Sequence, residues 1–315
     1  LPLNLRNVII SSQKEAVYTE IDRENYYTVR WYIRREDINQ KLYRGNYILG
    51  IDPSEGCGRD DIGVVLTDVS TGETIAAANI NETNILTFGE WIHNVLVKYP
   101  SITLLMERRN TGASILDHLL RSLPAVGVDP FKRIFNTIVN NYDEEEKAWK
   151  EINVSMGSRP RNVYVKYKSK FGFATSGAGM FSRSNLYDYV LFNAAKFIGN
   201  VTRDKILIDQ INTLTKIKNR VDHEEGKHDD LVIAWLMNMW LMTTGKKLSY
   251  YGINTQYLLM SAKDITHKEY STKQKYDKIA QVKLNREIDE VTDMIKDEKD
   301  PYISKQLENK LRALC

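Results

Sequence analysis

Short apolar runs that end on an acid punctuate the middle of this chain. Residues 47–51, Tyr-Ile-Leu-Gly-Ile, end on Asp52, and residues 102–106, Ile-Thr-Leu-Leu-Met, end on Glu107. Both runs have strand length, and the second is apolar enough for a strand buried on both faces. Residues 62–68, the turn Ser70-Thr71-Gly72 and residues 74–80 predict two more strands, which with the first read as an antiparallel meander. Helical spacing over 87–99 puts Phe88, Trp91, Ile92, Val95 and Leu96 on one face, and Pro100 stops the helix. Thr111-Gly112-Ala113-Ser114 leads into a second helix through Leu123, ended by Pro124. Ser184 is read as the N-cap of a helix over 185–198. The last helix of this region opens on Asp229 and Asp230, continues Leu231-Val232-Ile233-Ala234-Trp235-Leu236, and runs to about residue 243.

The flanks are less regular. Residues 1–45 are polar and aromatic-rich, with a strand near 26–33, and read as a linker or small extension. The main domain is expected over 46–250. Residues 133–139 and 162–167 read as strands, 205–208 as a short edge segment, and the stretch around 210–214 as a helix. From about residue 251 the chain changes character. Leu284, Ile288, Val291 and Ile295 follow a 4-3-4 spacing, Asp300-Pro301 interrupts, and Ile303, Leu307, Leu311 and Leu314 continue it. This predicts a charged helical C-terminal extension.

Composition narrows the class. The chain has 315 residues, of which 42% are hydrophobic, and a formal net charge of +3. It holds no apolar run long enough to span a bilayer and no signal-peptide pattern. Its two cysteines, Cys57 and Cys315, argue against a disulfide framework or a cysteine zinc cluster. Charge is uneven: residues 158–220 hold twelve Lys or Arg against three Asp, so the rest of the chain is net acidic. A basic stretch beside an acidic pocket suits a protein that grips phosphates with cations and metal with carboxylates.

Asp52, Glu107, Asp229 and Asp230 are the candidate chemistry. In the predicted element order the first strand is central and the fourth lies parallel beside it, so Asp52 and Glu107 emerge at one sheet end. Strand-strand-strand-helix-strand-helix, with acids after the first and fourth strands and on a late helix, is the ribonuclease-H-like α/β arrangement: a mixed sheet of three antiparallel strands plus parallel strands, flanked by helices. Gathering carboxylates at the ends of apolar elements is unfavourable unless a divalent cation joins them. Two such ions about 3.5–4 Å apart would activate water and stabilise a leaving 3′ oxygen in phosphodiester hydrolysis. Taken singly, each acid has a plainer role: Asp52-Pro53 as a turn, Glu107 as a partner for Arg108 and Arg109, Asp229 as a helix cap, and Asp230 as a first-turn acid facing the helix dipole. Lys166, Lys168 and Lys170 alternate along the segment read as a strand, which would set them on one face toward DNA.

Asp52-Pro53-Ser54-Glu55-Gly56-Cys57-Gly58-Arg59-Asp60 resembles the first nuclease motif of the large terminase subunit of tailed bacteriophages. Met106-Glu107-Arg108-Arg109-Asn110-Thr111-Gly112 resembles the second, and Gly226-Lys227-His228-Asp229-Asp230-Leu231-Val232 the third. Phe171-Gly172-Phe173-Ala174-Thr175-Ser176, followed by Arg183, is similar to a stretch before that family's penultimate helix. The resemblance covers about residues 45–245. It implies an endonuclease that cuts concatemeric double-stranded viral DNA during genome packaging. Asp52, Glu107 and one or both of Asp229 and Asp230 would bind Mg²⁺ or Mn²⁺. It further implies Asp60 and His228 as supports one step behind the metal, Asn110 and Thr111 near phosphate, and Arg183 on DNA.

The partners the resemblance implies are the small terminase subunit, the portal of the prohead and the ATPase domain of a full-length protein, in the host cytoplasm and without a membrane. No G-x-x-x-x-G-K-[ST] occurs in the sequence: Gly226-Lys227 is followed by His228 and Gly245-Lys246 by Lys247. The chain therefore reads as the C-terminal nuclease part of a longer protein, with residues 1–45 ending an interdomain connection. Two rival readings stand beside it. One is a junction resolvase or transposase-like nuclease of the same fold. The other is a non-catalytic module that clamps DNA or docks on the portal.

Overall fold

A strand one place in from an edge of the sheet, rather than at its centre, pairs with neighbours of opposite direction on its two sides, and that mixed pairing organises the molecule. The computed structural model describes residues 1–254 apart from 23, 24, 26, 54–60, 82, 110, 176–180, 218, 219 and 224–227, and beyond these Lys305 and Leu311. The chain divides into two units, Leu1–Thr255 and Gln256–Cys315. Everything below concerns the first, and the helices expected in the C-terminal extension lie outside the described residues.

Six strands form one sheet: β1 (Tyr18–Ile21), β2 (Thr28–Trp31), β3 (Tyr47–Asp52), β4 (Ile62–Asp68), β5 (Thr74–Ile80) and β6 (Ile102–Met106). Their order is β1-β2-β5-β4-β3-β6. The meander β3-β4-β5 is antiparallel, and β6 runs parallel to β3 on its other side. Helices flank this mixed sheet, giving the expected ribonuclease-H-like architecture. Every residue of β3 and of β6 is buried. Near-continuous apolar strands of this kind need cover on both faces.

One face is covered by the helix we call α7, Asp230–Thr244, buried from Asp230 to Met242. Its approach is very close. A methyl on Gly63 of β4 would meet the Asp230 carbonyl oxygen at 2.4 Å, so only glycine admits the helix there. Farther along, the Asn238 amide donates to the Val65 carbonyl and the Thr67 hydroxyl, each at 3.0 Å, tying the same helix to β4. The helices α3 (Ile85–Lys98) and α4 (Thr111–Ala125) pack on each other beside β6. Asn84 caps α3 by accepting from the Leu86 N–H at 2.8 Å. Phe88, Ile92 and Leu96 form the buried face of α3, while Val95 is only partly buried and Trp91 borders a cleft. Pro124 lies within the last turn of α4 rather than after it.

Among the segments flanking this frame, the strand expected near 26–33 is present as β2, and others depart from the sequence reading. Residues 1–45 hold a helix α1 (Leu3–Ser11), strands β1 and β2, and a helix α2 (Arg35–Arg44). The two strands extend the main sheet through pairing of β2 with β5. Residues 133–139 form no continuous strand: Ile134 makes an isolated bridge to Leu104 and Asn136 another to Phe171, between helical turns Pro130–Arg133 and Thr137–Asn140. Asp129 accepts from the Phe131 N–H and Asn136 from the Val139 N–H, and these local caps draw the backbone into turns.

Residues 162–167 are helical as well, over Val163–Lys166, closed by bonds from Lys166 N–H to the Asn162 carbonyl and from Tyr167 N–H to Val163. The β-branched Val163 and Val165 suggest a strand, but Val165 is exposed and pairs with no neighbour strand. Lys166, Lys168 and Lys170 consequently do not line one strand face. Each instead faces an acid: Glu151, Asp117 and Glu145 respectively.

The helical run that contains α5 (Leu191–Ile198) is capped by Ser182, which accepts from the Asn185 N–H at 3.0 Å, rather than by Ser184. It includes a π-helical turn at Leu186–Val190. Residues 205–208 belong to a helix α6 (Lys205–Asn212), because Asp204 caps it through the Leu207 N–H. The helix expected around 210–214 ends at Asn212, and Leu214–Ile217 pairs with Arg220–His223 in a separate hairpin. Among the described residues, no helix is long and apolar enough to cross a membrane.

Candidate metal centre

The parallel pairing of β3 with β6 sets Ile51 opposite Met106, and the Glu107 N–H continues the ladder to the Ile51 carbonyl at 3.0 Å. Asp52 and Glu107 therefore leave the sheet side by side. Across β3, Asp52 is paired with Gly63, the residue on which the Asp230 backbone rests. Asp229 immediately precedes α7. Three elements thus deliver four acids to one end of the sheet. Asp52 is 4% exposed, Glu107 2%, Asp229 5% and Asp230 9%. Carboxylates so far from water need compensation.

Part of that compensation comes from hydroxyls. The Thr175 hydroxyl donates to Glu107 Oε1 at 2.5 Å, held in place by a bridge between Glu107 and Phe173. The buried Tyr187 hydroxyl donates to Asp229 Oδ2. Burial, then the Asp229 charge, push the Tyr187 phenol well above its ordinary pKa, so it stays a donor.

A cation adds to it. The Arg183 guanidinium stands 3.5 Å from Asp52 Oδ2, 3.7 Å from Glu107 Oε2 and 3.8 Å from Asp229 Oδ2. Burial opposes its charge, yet those three carboxylates more than offset this and hold its pKa above the usual arginine range. Arg183 and Tyr187 are four residues apart on one helical run and so share a face, which is the face turned to the acids.

Asp52 is held in an unfavourable electrostatic setting. Burial first, then the Glu107 charge and a hydrogen bond with Glu107, raise its pKa well above the carboxylate norm, and Arg183 only partly opposes this. A pair of carboxyls in this position shares a proton or takes up a cation.

The other expected site residues fall in three places. His228 Nδ1 lies 3.9 Å from Asp230 Oδ2, at the rim of the acidic group. Thr111 opens α4. Asp60 and Asn110 lie outside the described residues, as do Gly226 and Lys227. Sequence reasoning missed Thr175 and Tyr187. The available signal was the four-residue spacing of Tyr187 from Arg183.

No protein-family model matches the chain, and no curated protein matches it significantly. Among solved structures, the chain is similar to the large terminase nuclease from thermophilic phage G20c. The TM-score is 0.40 and the identity 12%, over 74% of this chain and 96% of that one. The same nuclease with bound cobalt matches at TM-score 0.40 and 13% identity, over 73% and 95% of the two chains. With bound magnesium it matches at TM-score 0.38 and 13% identity, over 75% and 95%.

The donor set of this chain is itself informative. All four acids offer hard oxygen ligands, the type that suits Mg²⁺, Mn²⁺ or Ca²⁺. Among the described residues, no three acids, histidines or cysteines are set as a ready-made metal cage. A positively charged side chain occupies the middle of the group instead, which shows that the place accommodates a cation. A cleft of about 940 Å³, lined by Trp31, Leu49, Leu66 and Trp91 among others, contains none of the four acids.

Proposed function

We propose that this chain is a divalent-metal-dependent endonuclease of the large-terminase type, cutting concatemeric double-stranded viral DNA as it is packaged. The observation that carries the reading is the convergence of Asp52, Glu107 and Asp229 on a single guanidinium. They come from the ends of β3 and β6 and the start of α7, with Asp230 beside them. Asp52, Glu107, Asp229 and Asp230 would hold two ions, Mg²⁺ or Mn²⁺. When bound, such ions supply Lewis acidity toward the phosphate and lower the pKa of an attacking water.

The chain's own residues orient the rest. Thr175 holds Glu107 Oε1 while Oε2 lies toward Arg183, and Tyr187 holds Asp229 Oδ2, the oxygen that also lies toward Arg183. Water would add to phosphorus and give up a proton to solvent, the bond to the 3′ oxygen would break, and that oxygen would leave with the electron pair and take up a proton from solvent. His228, half-exposed beside Asp230, is placed to orient a water or a phosphate oxygen at the rim. DNA held by its backbone would be cut without base preference. Among the described residues, Arg183, 40% exposed, is the cation set among the acids. Lys166, Lys168 and Lys170 are weaker candidates for the DNA contact, since their charges already face acids. The small terminase subunit, the portal and an ATPase domain are the partners this reading implies, in the host cytoplasm.

The test is plasmid nicking in Mn²⁺ or Mg²⁺. Wild-type protein should convert supercoiled DNA to nicked and linear forms, and chelator should stop it. Asp52→Asn should remain folded and lose cleavage by about 10³-fold or more, the scale of losing a group that acts in the transition state. Metal-independent cleavage, or full activity in Asp52→Asn, defeats the proposal. A folded wild-type protein that clamps DNA but never nicks it would favour the non-catalytic reading, in which Arg183 permanently neutralises the acids.

A further inference from the structure

Two kinds of buried arginine contact coexist in this molecule, and the contrast is informative. Arg159 grips Asp129 with two short parallel bonds of 2.6 and 2.8 Å, adds a third to the Ile152 carbonyl, and its side chain is 2% exposed. That is a bidentate fork with fixed geometry. Arg183 is arranged differently. It lies between three carboxylates at 3.5 to 3.8 Å and forms a close fork with none of them. Its buried Nε has no hydrogen-bond partner among the described residues, and its side chain keeps 40% exposure. The guanidinium supplies charge to the acids without being locked to any one of them, and its exposed side leaves it a way out.

From this we infer that Arg183 is a displaceable counter-cation, which holds the acidic group together while no metal is bound and must move aside for divalent ions to bind. The inference rests on the proposed metal-dependent function. A divalent ion bridging Asp52, Glu107 and Asp229 would sit within a few ångströms of the present guanidinium position, where like charges repel strongly at low dielectric. Guanidinium and metal therefore compete for the same three carboxylates. Competition at one place is reciprocal: whatever Arg183 contributes to the metal-free state is subtracted from metal affinity. Once displaced through its exposed side, the same side chain is free to meet the DNA backbone.

The experiment is calorimetric titration of full-length chain with Mn²⁺ alone, without DNA, alongside thermal unfolding with and without Mn²⁺. Arg183→Gln should bind Mn²⁺ with a Kd lower by about fivefold or more, the lower end of ordinary coupling between sites. It should melt below wild type without metal and gain more from added Mn²⁺ than wild type does. Arg183→Lys, which keeps a charge on a shorter chain, should fall between the two and serves if the glutamine variant folds poorly. An Arg183→Gln or Arg183→Lys affinity equal to or weaker than wild type overturns the inference. Failure of the underlying reading looks different: wild type and both variants then bind no Mn²⁺, or bind it equally well when Asp52→Asn is introduced.

Discussion

Gly112, in the first turn of α4, is the position where the smallest substitution should disturb the acidic group most. A methyl added there would meet the Glu107 carbonyl oxygen at 2.0 Å and Pro53 Cγ at 2.9 Å. Real contacts of this kind do not fall below 3.0 Å, so the backbone of α4 and that of Glu107 must separate by about 1 Å. Nothing flexible absorbs the strain, because the contact is with main chain. Glu107 is also tied to β3 through Ile51, so its displacement moves its carboxylate relative to Asp52. Overpacking of this sort costs about 1–3 kcal/mol. Two kcal/mol would lower Tm by roughly 4–8 °C in a domain of this size. The functional cost should be larger in proportion, since a misplacement near 1 Å at a reacting centre lowers rate by about 10²-fold. Gly157 is the control, with nothing within 4 Å of the site of an added methyl. Plasmid nicking in Mn²⁺ and thermal unfolding by circular dichroism read both effects. Gly112→Ala nicking and melting like wild type, with Gly157→Ala equally silent, would refute the coupling between α4 and the acids.

Tyr187→Phe removes the hydroxyl that holds Asp229 and nothing else. It should leave the fold intact while lowering Mn²⁺ affinity or cleavage by about 10- to 100-fold, the range for a group that orients a metal ligand. Titration with Mn²⁺ alone checks it, and an unchanged Kd together with unchanged cleavage would show that Asp229 needs no such support. Arg159→Ala should act on stability instead, removing the cation from Asp129 and the donor from the Ile152 carbonyl. Breaking a pair of this kind should cost on the order of 2–3 kcal/mol, somewhat below a fully buried pair because Asp129 keeps some contact with water. Urea unfolding measures the loss, and a variant with an unchanged midpoint would mean that the fork adds nothing net.

The parts of this fold that were legible in the sequence share one physical trait: their pattern was set by burial over the whole element. The strands at 62–68 and 74–80 read correctly because turn residues bound them, and β3 and β6 because both faces demand apolar side chains. Once their parallel pairing was inferred, the neighbourhood of Asp52 and Glu107 followed. The misread segments are governed by local hydrogen bonds. Asp129, Asn136 and Asp204 each cap a short helix in a stretch whose apolar residues suggested extended chain. Capping side chains outweigh β-propensity there because one bond satisfies a backbone donor left unpaired at the start of each helix. The same limit hid Thr175 and Tyr187. Neither residue type signals chemistry alone, and their role depends on which acid the tertiary fold brings within reach.

The four acids are not equally supported, and the inequality ranks their demand for metal. Asp229 and Asp230 stand at the N-terminal end of α7, where the helix dipole favours negative charge, and the Leu231 N–H is itself satisfied by Gln210 at 3.0 Å. Asp229 has the Tyr187 hydroxyl in addition, and Glu107 has Thr175. Asp52 sits at the end of a β-strand, where no comparable dipole exists. Its principal neighbours are the like charge of Glu107 and the shared guanidinium, 3.5 Å away. Among the described contacts, Asp52 is thus the carboxyl set against Glu107 and nearest to Arg183. An incoming divalent ion that replaces Arg183 relieves Asp52 more than any other acid. For that reason Asp52, rather than either aspartate of α7, is the ligand whose removal should weaken metal binding most.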